Sequence, residues 1–141
     1  MQEHVTTKVE VNRSIAAGAS KAEIDAGIQA QIANSDSILA AIGSICGAGA
    51  EIAFSDIFSE HIEESNNSAI AVAAGDKAAK ELANEELREY LVGIASFFNG
   101  AIPVLSYAAV CGLLLEHENL INQSTEAFAT DNSGQSKKFE I

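Results

Sequence analysis

Residues 20–46 read SKAEIDAGIQAQIANSDSILAAIGSIC and carry the clearest structural signal in the chain. Ser20 and Glu23 have the spacing of a capping box, in which two side chains satisfy free backbone amides at the start of a helix. Apolar residues then recur at helical spacing, at Ile24, Ile28, Ile32, Leu39, Ile42 and Cys46. The stretch predicts a long amphipathic helix that weakens or ends near Gly43 and Gly47.

The composition favours further helices. The chain has 141 residues, one Pro and 48% hydrophobic residues, so few helices are interrupted by proline. Its formal net charge of −12 argues against a nucleic-acid partner and against electrostatic docking on anionic lipid. We therefore expect an all-α protein of three to five helices, arranged as antiparallel hairpins or as an elongated bundle. The predicted single domain covers residues 1–129, and a flexible polar tail covers 130–141.

Two weaker segments flank the central pattern. Residues 1–18 mix polar and apolar side chains and predict a short strand or a frayed helix. Residues 50–64 place Phe54 and Phe58 on one helical face. The Ser-Asn-Asn-Ser segment at 65–68 then predicts a turn or a cap before another helix.

The segment 91–115 contains no Asp, Glu, Lys, Arg or His, and its length would suit a transmembrane helix. Asn99-Gly100 is a helix-stop signal and Pro103 suits a new first turn, so the sequence predicts a helical hairpin whose last helix covers about 102–128. Its tip would be apolar and would contact a partner or a membrane. The predicted assembly or membrane contacts are Gly43, Gly47, Phe97, Phe98, Ile102, Val104 and Leu105.

Acidic residues form two rows at helical spacing. The rows are Asp56, Glu60 and Glu64, followed by Glu81, Glu85 and Glu89. Like charges four residues apart repel and raise one another's pKa. The rows are interpreted either as a solvated face or as a pH-sensitive acidic face, on which protonation near pH 4 to 5 would remove the repulsion.

Catalytic motifs are not found in the sequence. The acidic residues around His61 and around His117 are adjacent in sequence, and adjacent residues of a helix do not face one another. Both clusters are therefore interpreted as solvated helix faces, and we expect no catalytic residue, no metal and no cofactor. Cys46 and Cys111 lie in apolar runs, which is typical of reduced thiols in a cytoplasmic protein.

Three segments between residues 24 and 77 carry a family resemblance. They are Asp25-Ala26 with Gln29, AIGSI at 41–45 and NNSAIAVAA at 66–74. These segments resemble the R-body structural proteins of the RebB-like family. The chain departs from that family at 60–64, where EHIEE replaces an Asn-Ala-Val followed by a Gln run. The resemblance implies a cytoplasmic polymer, a coiled protein ribbon that unrolls on acidification and damages membranes.

The sequence thus predicts a non-enzymatic helical structural or interaction protein that self-assembles. Its expected partners are further copies of the chain, as a homo-oligomer or polymer, or another protein. Its expected location is the cytoplasm. The alternative is a membrane-active or membrane-inserted hairpin protein, of the pore-former or lysis-factor type, in which residues 91–115 contact lipid.

Overall fold

The computed structural model describes residues 2–136, with side chains described for residues 3–131. Over this part of the chain the protein consists of five helices and no strand, so the all-α prediction is confirmed. The helices are α1 (Gln2–Ala16), α2 (Lys21–Cys46), α3 (Ala48–Ala74), α4 (Lys77–Ala101) and α5 (Tyr107–Ser136).

The predicted capping box opens α2. The Ser20 side chain accepts a hydrogen bond from the Glu23 amide, and the Glu23 carboxylate accepts one from the Ser20 amide at 3.0 Å. The helix ends at Cys46, and Gly47 with a φ of 92° turns the chain directly into α3. The predicted start of this helix is thereby confirmed, and of the alternatives for its glycines the structure shows an end at Gly47.

The expected break at 65–68 is wrong, because α3 continues through these residues to Ala74. Ser65 and Ser68 can lie within a helix because their hydroxyls find partners on other helices. The Ser68 hydroxyl donates to Asn84 Oδ1 at 3.0 Å, and the Ser65 hydroxyl donates to Glu118 Oε2 at 3.5 Å. The prediction for residues 1–18 is resolved as a helix, α1.

The apolar hairpin is present, but its turn lies later than expected. Helix α4 passes through Asn99-Gly100, and Pro103 lies in the connection rather than in the first turn of α5. The Asn99 amide donates to the carbonyl oxygen of Leu105 at 2.8 Å, so this side chain stabilises the connection instead of ending the helix. Among the described helices, none combines the length and the hydropathy that crossing a bilayer requires.

The predicted polar tail falls partly on α5. This helix continues to Ser136, and residues 137–141 lie outside the described residues. The domain boundary near residue 130 stays a prediction.

Helix α3 lies at the centre of the bundle, because it contacts each of the other four helices. Each helix packs against the next one along the chain, α5 returns to pack against α1, and α3 also contacts α1 and α5. Helix α1 has 15 residues, whereas α2 has 26 and α5 has 30. Helix α1 therefore covers only part of the length of the bundle.

Two apolar clusters lie at opposite ends of the packed region. One contains Phe54, Phe58, Leu91 and Ile94, and the other contains Val11, Ile15 and Ala69. Within the first cluster, the Phe54 ring centroid lies 5.2 Å from that of Phe58. Polar side chains occupy the interior between these clusters.

The turn after α3 depends on a glycine, and replacing it should be costly. Gly75 has a φ of 69°, in the left-handed region that a residue with a Cβ rarely adopts. We expect Gly75→Ala to lower the free energy of unfolding by about 1–2 kcal/mol. Gly112→Ala, in the interior of α5 where a Cβ meets nothing within 4 Å, should raise it by about 0.5–1 kcal/mol. Urea unfolding at pH 7 measures both, and shifts of the same sign would contradict this explanation.

Candidate functional site

Polar side chains line the interior of the bundle between the two apolar clusters. On α1 they are His4, Lys8 and Asn12, which lie four residues apart and share one inward face. The other helices contribute Gln31, Asn34, His61, Ser65, Ser68, Glu118 and Thr125. Burying polar groups costs free energy unless partners compensate them, so a layer of this size points to a role beyond stability.

Part of this layer is satisfied by hydrogen bonds between helices. The Lys8 ammonium donates to Asn66 Oδ1 at 2.6 Å, which joins α1 to α3. The Asn12 amide donates to Thr125 Oγ1 at 2.9 Å, which joins α1 to α5. These bonds fix the position of α1 along the bundle.

The three histidines of the chain meet at one point in the interior. His4 comes from α1, His61 from α3 and His117 from α5, and one ring nitrogen of each lies within 4.8 Å of the others. His4 is 5% exposed and His61 is 4% exposed, while His117 is half-buried. Three distant segments thus bring every imidazole of the protein to the same place.

A carboxylate completes the cluster. Oε1 of Glu118 lies 3.4 Å from Nε2 of His61 and 3.5 Å from Nε2 of His117. Its other oxygen accepts the hydrogen bond from Ser65, and the residue is 4% exposed. The carboxylate therefore contacts two of the three imidazoles, and the group whose ligand atoms all lie within 4.8 Å of one another consists, among the described residues, of the three histidines.

Burial keeps the imidazoles neutral. Desolvation lowers the pKa of His61 to about 3 and the pKa of His4 to about 4, from an ordinary value of 6.5, with smaller contributions from neighbouring cationic groups. Neutral imidazole is the form that binds a metal ion. Desolvation also raises the pKa of Glu118 to about 7, against the opposing effect of Lys8. A bound cation would favour its ionised form.

Several polar atoms of the site have no hydrogen-bond partner among the described residues. They include Nδ1 of His4, Nδ1 of His61 and Oε1 of Glu118. An uncompensated buried donor or acceptor is destabilising, and such groups mark catalytic, ion or water sites. Each of these atoms is also able to bind a transition metal.

The spacing is close to that of a metal centre. Zinc binds imidazole nitrogen at about 2.0–2.1 Å, so a tetrahedral ion holds its nitrogens about 3.3 Å apart. The ring nitrogens lie within 4.8 Å of one another, so the rings would have to move closer to hold such an ion. The residues therefore fit a first-row transition ion in donor type, and the three rings lie near one another.

An apolar cavity adjoins the histidines. Its volume is about 290 Å³, it lies beside the start of α1, and all three imidazoles line one part of it. Its other walls include Ile38, Phe54, Phe58, Ile94, Phe98 and Leu114. The cavity is not closed, because Val5 and Leu113 at its edge are 37% and 68% exposed.

The predicted contact residues lie at one end of the bundle. The turn between α2 and α3 holds Gly47, and the connection between α4 and α5 holds Val104, which is 89% exposed, and Leu105, which is 38% exposed. Ile102 is half-buried, and Phe97 and Phe98 pack against Phe54 with ring centroids 4.9 and 5.5 Å away. A Cβ on Gly43 would collide with the Glu51 carboxylate, so α2 and α3 approach closely there.

The acidic rows lie on neighbouring helices. Asp56, Glu60, Glu81, Glu85 and Glu89 are exposed, and Glu64 is half-buried. Across the contact between α3 and α4, the charge of Glu64 raises the pKa of Glu86. Glu64 is therefore close enough to α4 to interact with Glu86, a neighbour of the second row, while the role of the rows in assembly stays a prediction.

The interpretation of the histidine clusters as solvated helix faces is wrong for His61 and Glu118, which are buried. The reason lies in the tertiary packing of the helices. Neighbours in sequence do not face one another, but His61 and Glu118 come from different helices and meet across the interior. The spacing of His4, Lys8 and Asn12 is the one local signal that indicates a polar inner face.

No protein-family model, no curated protein and no solved structure matches this chain. The resemblance to R-body proteins stays a prediction, and the candidate site rests on geometry.

The buried histidines should make the metal-free protein sensitive to acid. The unfolded chain protonates His61 below pH 6.5, whereas the folded protein resists protonation until about pH 3, so stability falls as the pH drops through this window. Glu118 acts in the opposite direction between about pH 7 and 4.5, because its pKa is raised. The informative comparison is therefore between wild type and His61→Gln. Both proteins contain Glu118, so its contribution to the pH dependence of stability cancels in the difference. Between pH 6 and 4, wild type should lose about 1.4 kcal/mol per pH unit more than the variant.

Urea unfolding in the presence of a chelator measures this difference, and Ser59→Ala, an exposed change on the same helix, is the control. Parallel pH profiles for wild type and His61→Gln would contradict the burial-shifted titration.

Proposed function

We propose that this protein is a metal-binding helical bundle that holds one first-row transition ion between α1, α3 and α5. The observation that carries the proposal is the convergence of His4, His61 and His117, one ring nitrogen of each lying within 4.8 Å of the others. Their burial and neutrality support it, since three neutral imidazoles are ready ligands at neutral pH.

Zinc suits this donor set best. It accepts imidazole and carboxylate ligands and imposes no geometry from its d electrons, so it tolerates a centre built from three different helices. Glu118, whose carboxylate accepts a hydrogen bond from Ser65, would supply negative charge to the ion. The apolar cavity is lined by the three histidines and not by Glu118, so a ligand in the cavity would meet the ion from another direction. That arrangement resembles an open centre rather than a closed structural one.

Zinc titration tests the centre. We expect one zinc ion per chain by isothermal titration calorimetry and an increase in Tm on binding, because the ion binds only the folded arrangement. His61→Asn and His117→Asn should each weaken binding by at least about 100-fold, and Glu118→Gln by about 10- to 100-fold. Glu116→Gln, an exposed carboxylate on the same helix, should leave the affinity unchanged.

The two free cysteines require their own control, since thiolates also bind zinc. A variant with Cys46→Ser and Cys111→Ser should retain the wild-type affinity. Circular dichroism checks that each variant is folded. Loss of binding in the cysteine variant, with full binding in the folded histidine variants, would refute the proposed centre.

We also propose self-association as a second function, in line with the assembly predicted from the sequence. Its support is a set of exposed large apolar side chains at one end of the bundle and along α5. They are Ile45 (76% exposed), Ile52 (68%), Val104 (89%), Leu113 (68%) and Leu120 (59%). Apolar surface of this kind favours association, and the net charge of −12 opposes it at neutral pH. The membrane-active alternative would use the same surface, and the non-enzymatic role stays a prediction.

Sedimentation velocity tests the second function. We expect the sedimentation coefficient to rise with protein concentration, and to rise further at pH 4.5, because protonation reduces repulsion between the acidic rows. A variant with Val104→Lys and Leu113→Lys should sediment as a monomer at pH 7, whereas Gln123→Lys, an exposed change on α5, should behave as wild type. Monomers under all conditions would exclude assembly, and dye release from vesicles without self-association would favour the membrane-active alternative.

A further inference from the structure

The cavity beside the histidines has the size of a small-molecule site. Its volume is about 290 Å³. An apolar cavity of about 150 Å³ stays dry and binds benzene, so this one has room for a molecule about twice as large. It is also close to the lower limit of about 300 Å³ for ligand pockets.

The polarity of the cavity is one-sided. His4, His61 and His117 supply the polar part of its lining, and the remaining walls are aliphatic and aromatic side chains. Its lining contains no Asp, Glu, Lys or Arg among the described residues. A matching ligand has an apolar body with a single polar end directed at the imidazoles.

The charge of the centre indicates the chemistry of that polar end. A divalent ion on three neutral imidazoles keeps its full positive charge, and one carboxylate at Glu118 offsets only half of it. Lys8 is also buried nearby and offsets none of this positive charge, because its ammonium is itself a cation. The ammonium donates to Asn66 Oδ1 at 2.6 Å. The remaining positive charge favours an anionic oxygen donor, and carboxylate is the simplest one on an apolar chain.

The rim of the cavity offers an entrance. Val5 and Leu113 line it and are 37% and 68% exposed. Val5 lies one turn from the start of α1, where a helix end is free to fray. A ligand could enter between α1 and α5 without separating the other helices.

We propose that this cavity binds a medium-chain carboxylate of about eight carbons, with its chain against Phe58, Ile94 and Leu114 and its carboxylate on the ion held by the three histidines. This inference rests on the proposed metal centre.

Titration with octanoate tests the inference in the intact protein. The zinc-loaded protein should bind octanoate at least tenfold more tightly than acetate, which has the head group alone. It should also bind octanoate at least tenfold more tightly than the zinc-free protein does. Leu114→Trp, which fills the cavity, should weaken octanoate binding at least tenfold, and Gln123→Trp, on the exposed face of α5, should not. The chain has no Trp of its own, so each introduced indole also reports folding by fluorescence.

The two proposals fail by different results. The zinc titration contains no carboxylate ligand and judges the metal centre alone. Zinc binding with equal affinities for octanoate and acetate, or an octanoate affinity that Leu114→Trp leaves unchanged, would overturn the cavity proposal and leave the metal centre standing. Octanoate that binds equally with and without zinc would overturn the placement of its carboxylate on the ion.

Discussion

The structure depends on how the polar face of α1 is accommodated inside the bundle. His4, Lys8 and Asn12 enter the interior on one side of a short helix, and each requires a partner there. Helices α3 and α5 supply partners for Lys8 and Asn12 through Asn66 and Thr125, whereas Nδ1 of His4 has no hydrogen-bond partner among the described residues. Apolar contacts alone would permit α1 to slide along the bundle, whereas directional polar contacts select one register.

The local parts of the fold could be predicted from the sequence because they depend on neighbours in the chain. The start of α2 follows from Ser20 and Glu23, and its end follows from Gly47. The segment at 65–68 could not be predicted, since its turn-forming residues become helical once Ser65 and Ser68 hydrogen-bond with α5 and α4.

The candidate site was less accessible to prediction than the fold. Its histidines lie on three separate helices, and no periodicity within one helix reports how far apart two helices lie. The same residues in sequence, His117 beside Glu118, suggested an exposed charged face. Only the packing of α5 against α1 and α3 turns that face inward. Likewise, the net charge of −12 describes the outer surface and gives no information about neutral donors in the interior.

The contact between Asn12 and Thr125 joins residues 113 positions apart, and His4 and His117 are separated by a similar length of chain. The polar interior therefore connects the first helix to the last one. An isolated helix of the length of α1 is marginal in water, so the helical order of α1 depends on these contacts. An ion held there would couple its own occupancy to the docking of the chain's beginning, and α1 would become the part of the molecule that reports whether the centre is filled.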